Sequence, residues 1–388
     1  MRFSTSAVFS LLAVASALLA APTVDNHHDQ RIRDRRGLHD YAKKAGLLYF
    51  GSAADIPGTG EDTDLPYQAI LNDTHEFGQI TPTNYMKYGA TEPQRNIFNF
   101  TGGDVLAGWA RANNQLLRCH TLLWHTSLPS WLETGTWDNK TLISIMENHI
   151  TKLIRQWGTQ CYAWDVVNEA FNEDGTFRET IWYKTIGEAY IPLAFNFATK
   201  AVDSLFIPGV HKTNSPSSKP LLYYNDYNIE RYNMPKSLSV GRLIRDVRSF
   251  GARIDGVGIQ CHQIVGRTPT RESQRMNMQY FIDLGVDVAI TELDARHQNV
   301  SAIDAAARQQ QRLDYESTVG ACVDVATNGK GRRKGCIGIT LWDFTDKYSW
   351  VESGFGGLQG QACPWDANLK KKEWAYGGIL DGLRKDRL

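Results

Sequence analysis

Two glutamates directly follow apolar runs, in the positions where a buried strand would end. Glu169 closes the segment 164–169, and Glu292 lies in the middle of 290–294. Glycoside cleavage needs a pair of carboxyl groups, because one protonates the leaving oxygen while the other attacks the anomeric carbon. A lone glutamate at a strand end is more often a surface or ion-paired residue. Two of them, each preceded by an apolar run and flanked by polar residues, predict a catalytic pair.

Further polar and aromatic residues follow other apolar runs of the chain. Their side chains could hydrogen-bond sugar hydroxyls, or the histidines and carboxylates among them could bind a metal ion. The chain has no His-x-His or His-Glu-x-x-His arrangement, which disfavours the metal. We therefore expect sugar binding, with no metal and no organic cofactor. The residues are His120, Trp124, His125, the segment 225–228 with Tyr227, Gln260, His262, Trp342 and Trp350.

The segments between these residues alternate short apolar runs with longer amphipathic stretches. Eight such alternations predict an α/β fold, a single closed (β/α)8 TIM barrel. In that fold catalytic residues lie just past the C-terminal ends of the strands, where the polar residues above fall. The predicted strands are 47–52, 79–81, 116–123, 162–167, 220–224, 256–260, 287–291 and 336–341, and the predicted helices are 104–112, 141–157, 181–204, 237–250, 270–284 and 302–327.

Length and charge limit the domain organisation and the partners. The 388 residues fit one large barrel, and no long linker or repeat divides them, so we expect residues 37–388 to form a single catalytic barrel. The 42 Lys and Arg residues balance 42 Asp and Glu residues, which disfavours nucleic acid as a partner. The chain is rich in Trp, Tyr and Phe, whose flat rings suit sugar faces, although most such rings fill the core.

The N-terminal segment predicts export. Arg2, the apolar run 7–19 and the small residues up to Ala21 have the pattern of a signal peptide over 1–21, and the run is too short to span a membrane. Residues 22–36 are polar and end in Arg35-Arg36. The sequence leaves open whether this stretch is a propeptide with a dibasic processing site or a solvated tail. We expect a secreted monomer with no membrane association.

Secretion permits disulfides and N-glycans. Glycosylation sequons occur at Asn72, Asn99, Asn139 and Asn299. Six cysteines allow fifteen pairings, so spacing alone leaves the connectivity open. Cys119 and Cys161 lie on neighbouring predicted strands and are a candidate pair.

Taken together, these residues resemble glycoside hydrolase family 10, the family of the barrel-fold endo-β-1,4-xylanases, which also includes fungal tomatinases. The likeness covers residues 38–383 and is specific, because several separated motifs agree in order. These motifs are Gln79-Ile-Thr-Pro82, Asn84-Tyr-Met-Lys87, Glu92-Pro93, His120-Thr-Leu-Leu-Trp-His125, Trp164-Asp-Val-Val-Asn-Glu169, Asn225-Asp-Tyr-Asn228, Gln260-Cys-His262, Thr291-Glu-Leu-Asp294 and the segment from Trp342 to Trp350.

The resemblance implies a retaining glycosidase that acts on a plant polysaccharide or glycoside. Glu169 matches the acid/base and Glu292 the nucleophile, which retention would hold about 5–5.5 Å apart. Asn168 matches the residue that contacts the sugar 2-hydroxyl. His262 matches the hydrogen-bond partner of the nucleophile, and Asp294 the carboxylate that supports this histidine.

The resemblance also implies sugar-binding walls and one disulfide. Asn84 and Lys87 match residues that grip the next sugar on the non-reducing side, while Cys322 and Cys336 resemble a disulfide of fungal members. His120, Trp124 and His125 match the family residues that form the wall beside the cleaved bond. Trp342 and Trp350 match the family's aromatic lid over the sugars.

Two departures from the family pattern leave the glycone open. Thr83 and Ser127 stand where the family usually has Glu and Gln, both of which hold the second glycone sugar. Losing a charged hydrogen-bond partner costs ~1.5–3 kcal/mol of binding. The pocket then suits either xylan, held more weakly, or a hexose-containing glycone such as that of a steroidal glycoalkaloid. A non-catalytic carbohydrate-binding barrel is a third reading, disfavoured because both carboxyl groups are present.

Overall fold

The protein is described by a computed structural model over residues 36–206, 219–327 and 334–384. The predicted signal peptide 1–21 and all but Arg36 of the segment 22–36 lie outside the described residues.

Eight parallel strands close into a barrel, which confirms the predicted fold. The ring runs β1–β2–β3–β4–β5–β6–β8–β9 and closes where β9 pairs with β1, while the short β7 pairs only with the end of β8. The strands are β1 (Tyr49–Ala54), β2 (Gln79–Pro82), β3 (Leu116–Cys119), β4 (Cys161–Asn168), β5 (Leu221–Asp226), β6 (Gly256–Ile259), β7 (His262–Ile264), β8 (Asp287–Arg296) and β9 (Cys336–Leu341).

Helices lie between the strands, as the amphipathic stretches predict. The prediction of one helix over 181–204 is wrong, because Gly187 (φ 79°, ψ −166°) interrupts it. The α-helices are α1 (Leu38–Ala45), α2 (Leu65–Leu71), α3 (Tyr88–Thr91), α4 (Thr101–Ala112), α5 (Ser130–Glu133), α6 (Asn139–Trp157), α7 (Ile181–Ile186), α8 (Tyr190–Leu205), α9 (Pro235–Ser249), α10 (Arg271–Asp283), α11 (Ala305–Asp324), α12 (Trp350–Gly354) and α13 (Glu373–Leu383).

The largest differences from the predicted strand lengths are in β3 and β8. β3 ends at Cys119 rather than at residue 123. β8 continues to Arg296 rather than ending at Thr291, because β7 lies beside its end and pairs His262 with Asp294 and Ile264 with Arg296. This pairing satisfies backbone groups of β8 beyond the barrel rim. Side chains alternate along a strand, so Glu292, Asp294 and Arg296 follow one another at every second position.

The barrel interior holds an ion pair below the site. Arg118 on β3 is fully buried and donates through Nε and Nη2 to the Asp165 carboxylate on β4, and its guanidinium carbon lies 4.5 Å from the Tyr223 ring centroid. Asp165 also contacts His120, at 3.0 Å from Nδ1. Burial would raise the pKa of Asp165, but the Arg118 charge and the His120 contact lower it below its ordinary range. The charged pair therefore persists inside the barrel.

Both expected disulfides are present in the structure. Cys119 and Cys161 join β3 to β4, and Cys322 and Cys336 join the end of α11 to the start of β9. Cys261 and Cys363 are buried and outside any disulfide. Of the sequons, Asn99, Asn139 and Asn299 are exposed and Asn72 is half-buried. In the ranges that the structure describes, no helix combines the length and apolarity needed to cross a membrane.

Candidate active site

A cleft of about 440 Å³ opens at the C-terminal ends of the barrel strands. Glu169 directly follows β4 and Glu292 lies in β8, so the two predicted carboxyl groups come from strands three places apart in the ring. The lining residues come from several loops that follow different strands. They are Thr83, Asn84, Lys87, His120, Trp124, Asn168, Glu169, Tyr227, Asn228, Gln260, His262, Glu292, Arg296, Trp342, Trp350 and Phe355.

Glu292 is buried, at 5% exposed, and is held as a carboxylate. Its Oε1 accepts a hydrogen bond from Asn225 Nδ2 at 2.7 Å, and its Oε2 lies 3.2 Å from His262 Nε2. Burial alone would raise the pKa of Glu292. The His262 hydrogen bond, the electrostatic influence of His120 and His262, and the Asn225 bond outweigh burial and lower the pKa below its usual value. A buried, ionised, hydrogen-bonded carboxylate is suited to nucleophilic attack.

His262 is charged because carboxylates lie on both sides of its ring. Nδ1 is 2.8 Å from Asp294 Oδ2, and Trp350 Nε1 donates to the same oxygen at 2.8 Å. Burial lowers the pKa of His262, but the Asp294 charge and hydrogen bond and the Glu292 contact together raise it to about 10. The imidazolium then has one N–H for each carboxylate. Asp294 thus orients the ring from behind and does not line the cleft.

Glu169 has a backbone conformation that differs from the strand before it. Its φ is 55°, in the left-handed region that non-glycine residues seldom adopt and that often accompanies functional sites. Oε1 accepts a hydrogen bond from Gln260 Nε2 at 2.9 Å, and Oε2 accepts one from Trp124 Nε1 at 2.8 Å. His125 Nδ1 lies 3.9 Å from Oε2. The carboxyl group is therefore oriented by two donors.

A network of amides connects the two carboxyl groups. Asn225 Nδ2 donates to Glu292 and also to Asn168 Oδ1 at 2.9 Å, and Gln260 Nε2 donates to Glu169 and lies 3.3 Å from the same Asn168 oxygen. The Glu292 carboxylate only accepts, which fixes the direction in which the Asn225 amide group points. Thr291 supports this orientation, because its Oγ1 donates to Asn225 Oδ1 at 2.7 Å.

Asn84 and Lys87 lie together at one end of the cleft. Lys87 Nζ donates to Asn84 Oδ1 at 3.0 Å, and Asn84 Nδ2 donates to Asp55 Oδ2 at 2.6 Å. Burial lowers the pKa of Lys87, while the charges of Glu292, Asp55 and Glu169 oppose that shift. Nζ also lies 4.8 Å from the Trp124 ring centroid. This end offers donors and acceptors to sugar hydroxyls.

The cleft continues beyond this end into a second cavity of about 300 Å³. The two cavities share Thr83, Asn84, Trp342 and Trp350, and the second one adds acidic residues, among them Glu61. Burial raises the pKa of Glu61 to about 7, against hydrogen bonds from the Asp55 amide and from Tyr67. By volume, the two cavities together have room for more than one sugar.

Most of the sequence-predicted residues meet in this cleft. His125 does not line it and instead lies behind Glu169. Of the two departures, Thr83 lines both cavities, whereas Ser127 lines neither. Tyr227 lines the cleft with its hydroxyl accepting from Arg178 Nη2 and with Lys236 Nζ 3.7 Å from its ring centroid.

Sequence reasoning missed Arg296 and Phe355, which also line the cleft. Every second residue of a strand lies on the same face, so extending the predicted seventh strand past Asp294 would have identified Arg296. Phe355 follows no strand and carries no comparable signal. Within the described ranges, no group of three or more His, Cys, Asp or Glu side chains is arranged to hold a metal ion.

Comparison with known proteins identifies one matching family and several similar proteins. The model of "Glycosyl hydrolase family 10" matches residues 37–382. Endo-1,4-β-xylanase D of Talaromyces funiculosus is 49% identical over 89% of this chain and 77% of its own length. An endo-1,4-β-xylanase of Penicillium canescens superposes with a TM-score of 0.81 at 43% identity, covering 89% of this chain and 97% of that one. A family 10 xylanase of Bispora sp. MEY-1, solved with xylobiose, superposes with a TM-score of 0.79 at 42% identity, covering 89% of this chain and 99% of that one.

Proposed function

Because the chain belongs to glycosyl hydrolase family 10, we propose that it is an endo-1,4-β-xylanase that cleaves plant xylan with retention. The observation that carries this proposal is the cleft in which the carboxyl groups of Glu169 and Glu292 are connected through one network of amides. The relatives named endo-1,4-β-xylanase support xylan as the substrate, and the solved complex with xylobiose supports a xylose-binding groove.

In the first step Glu292 attacks the anomeric carbon. Its depressed pKa keeps the carboxylate ionised in mildly acid solution, and the His262 and Asn225 hydrogen bonds hold it in position. The glycosidic C–O bond breaks as Glu169 donates its proton to the leaving oxygen. The products of this step are a free sugar-chain end and a glycosyl ester on Glu292.

In the second step water replaces the ester. Glu169, now ionised, takes a proton from water while the water oxygen bonds to the anomeric carbon and the Glu292 ester bond breaks. Esterification has removed the negative charge of Glu292, which favours the ionised form of Glu169 at this stage. Gln260 and Trp124, which donate to Glu169, keep its carboxyl group in place through both steps.

The remaining lining residues would hold the sugar chain. Asn168 lies between the two carboxyl groups, where it can bond the 2-hydroxyl of the reacting sugar. Asn84 and Lys87 would bind the next sugar, with Trp342 and Trp350 covering it. Action as a monomer stays a prediction from the sequence. The apolar run 7–19 and two disulfides support secretion.

A hexose-containing glycone, such as that of a steroidal glycoalkaloid, is the second candidate. Thr83 is short and lies where the cleft opens into the second cavity of about 300 Å³. That space could admit a hydroxymethyl group that xylose lacks. Because Ser127 lies outside both cavities, only one of the two departures favours this alternative.

The test is product analysis with linear xylan and with α-tomatine in parallel. Wild-type protein is compared with Glu292→Gln, which keeps the shape of the side chain and removes the nucleophile, and with Glu147→Gln, the same change at an exposed position on α6. We expect xylo-oligosaccharides from xylan, retained by Glu147→Gln and reduced at least ~10⁴-fold in Glu292→Gln, as loss of a covalent nucleophile implies.

The outcomes separate the candidates. Xylo-oligosaccharides of initially β-anomeric form, seen by NMR, support the retaining xylanase. An intact oligosaccharide from α-tomatine with little product from xylan would replace it with the second candidate. Full activity of Glu292→Gln would overturn the assigned nucleophile.

A further inference from the structure

Arg296 is a cation in the cleft that the proposed mechanism does not use. It ends β8, two residues past Asp294, and lines the cleft together with Phe355. In the barrel ring β8 lies three strands from β2, which precedes Asn84 and Lys87. Arg296 therefore belongs to a different wall from the residues that would grip the next sugar.

The guanidinium of Arg296 has only neutral hydrogen-bond partners. Nε donates to Gln359 Oε1 at 2.8 Å, and Nη1 donates to the carbonyl oxygen of His262 at 3.4 Å. Across the described ranges, no carboxylate oxygen lies within 4.0 Å of it and Nη2 has no hydrogen-bond partner. Burial lowers the pKa of this half-buried group, and the Asp294 charge opposes the shift only in part.

The side chain is nevertheless held in one orientation. Its guanidinium carbon lies 4.7 Å from the Phe355 ring centroid, and the Gln359 bond fixes Nε. A planar, oriented guanidinium with a free terminal nitrogen matches a carboxylate, with which it forms charge-assisted hydrogen bonds. Partly burying the Arg296 charge costs free energy unless a negative charge pairs with it. The hydroxyl groups of an unbranched, neutral xylan chain would not supply that negative charge.

We propose that Arg296 binds the carboxylate of a uronic acid branch on the xylan chain, and so favours acidic, branched substrate. The inference rests on the proposed xylanase function. Since the backbone carbonyl of His262 contacts Arg296, the branch would be carried by a sugar close to the cleaved bond. Arg296 acts as a specificity residue and takes no part in the bond-breaking steps.

The experiment compares glucuronoxylan with the same polymer after its carboxyl groups have been reduced to alcohols. Values of kcat/KM are measured for wild type, for Arg296→Met, which keeps an apolar stem against Phe355, and for Arg296→Lys, which keeps the charge. Arg267→Met is the matched control, because Arg267 is exposed and does not line the cleft. Thermal unfolding of each variant checks that it is folded.

We expect wild type to prefer the acidic polymer, and Arg296→Met to lose on the order of tenfold of that preference while its rate on the reduced polymer changes little. Arg296→Lys retains part of the preference, Arg267→Met retains all of it, and about 1 M salt weakens it in wild type. Equal loss on both polymers, or an unchanged preference in Arg296→Met, would overturn the role of Arg296 while leaving the xylanase proposal intact. A wild type that cleaves neither polymer would overturn both.

Discussion

At the scale of single residues, the charge of His262 decides the state of Glu292. Burial opposes ionisation of Glu292 and also opposes the charge on His262, yet each group stabilises the other across 3.2 Å, and Asp294 adds a second negative charge at 2.8 Å from the ring. The proposed nucleophile therefore depends on a carboxylate that lies outside the cleft. Removing the imidazolium should leave burial as the dominant influence on Glu292.

We therefore predict that His262→Gln shifts the acidic limb of the pH–activity profile to higher pH, by about one unit or more. The variant loses a positive charge and a hydrogen bond, so the pKa of Glu292 rises and a smaller fraction is ionised in acid. The measurement is kcat/KM against pH on a soluble xylo-oligosaccharide. His75→Gln is the control, because this histidine is exposed and pairs with Asp40 on the surface. An acidic limb at the same pH in His262→Gln and wild type would contradict the assignment.

The free energy of unfolding provides a second test of the charge on His262. Its pKa is raised from 6.5 to about 10, so its contribution to folding is fully present below pH 6.5 and is lost as the pH rises toward 10. Denaturant unfolding at both ends of this window should show wild type losing more unfolding free energy than His262→Gln, by on the order of a few kcal/mol.

Residue types and spacing were enough to predict much of the cleft. Glu169 and Glu292 were found because acidic residues after apolar runs are unusual, and the aromatic and amide residues around them followed from strand ends. Asp55 and Phe355 were not found, since their places depend on how loops fold back over the barrel. The lowered pKa of Glu292 could not be predicted either, because it depends on distances to two histidines.

At the scale of elements, neighbouring strands place the amides that hold the carboxyl groups. Asn225 lies in β5 opposite Gly258 on β6, and Thr291 lies in β8 on the other side of β6. The glycine leaves space where both side chains meet: a Cβ at residue 258 would overlap Asn225 Oδ1 and lie 2.9 Å from Thr291 Cγ2. The close approach of these strands thus depends on a missing side chain.

Gly258→Ala should therefore lower kcat by at least ~tenfold and cost ~1–3 kcal/mol of unfolding free energy, typical of overpacking in a tight interior. The added methyl group pushes Asn225 away from Glu292, so the proposed nucleophile loses a hydrogen bond although neither proposed catalytic residue is changed. Steady-state kinetics and denaturant unfolding measure the two effects. Gly108→Ala on α4 is the matched control, because the nearest atom to its Cβ would be 4.0 Å away. Wild-type kcat in Gly258→Ala would show that the Asn225 contact is dispensable.

Periodicity predicted which elements exist better than where they end. The barrel strands are largely buried on both faces, and most of them were predicted because they form apolar runs. The extension of β8 was missed, since the partner that supports it, β7, is only three residues long. The break between α7 and α8 was missed because the apolar pattern continues across Gly187, whose backbone conformation ends the first helix.

At the scale of the whole molecule, two covalent links hold distant parts of the chain at the barrel wall. The Cys119–Cys161 bond spans 42 residues and encloses α5 and α6, whereas the Cys322–Cys336 bond spans 14 residues between α11 and β9. A disulfide stabilises mainly by restricting the unfolded chain, and the effect grows slowly with loop length. The Cys119–Cys161 bond, which closes the longer loop, should therefore contribute more to the free energy of unfolding. Both disulfides lie outside the cleft.

Replacing Cys119 and Cys161 together by Ala should cost about 4 kcal/mol of unfolding free energy, and replacing Cys322 and Cys336 about 3 kcal/mol, from loop entropy at these lengths. We expect Glu169 and Glu292 to keep their hydrogen bonds in both variants, so kcat at low temperature should change little while the melting temperature falls. Denaturant unfolding of the two double variants, beside wild type under non-reducing conditions, measures the difference. A larger loss for the 14-residue loop would mean that local packing around the cysteines outweighs chain entropy. A large fall in kcat with intact folding would mean that β3 and β4 need their covalent link to hold Glu169 in position.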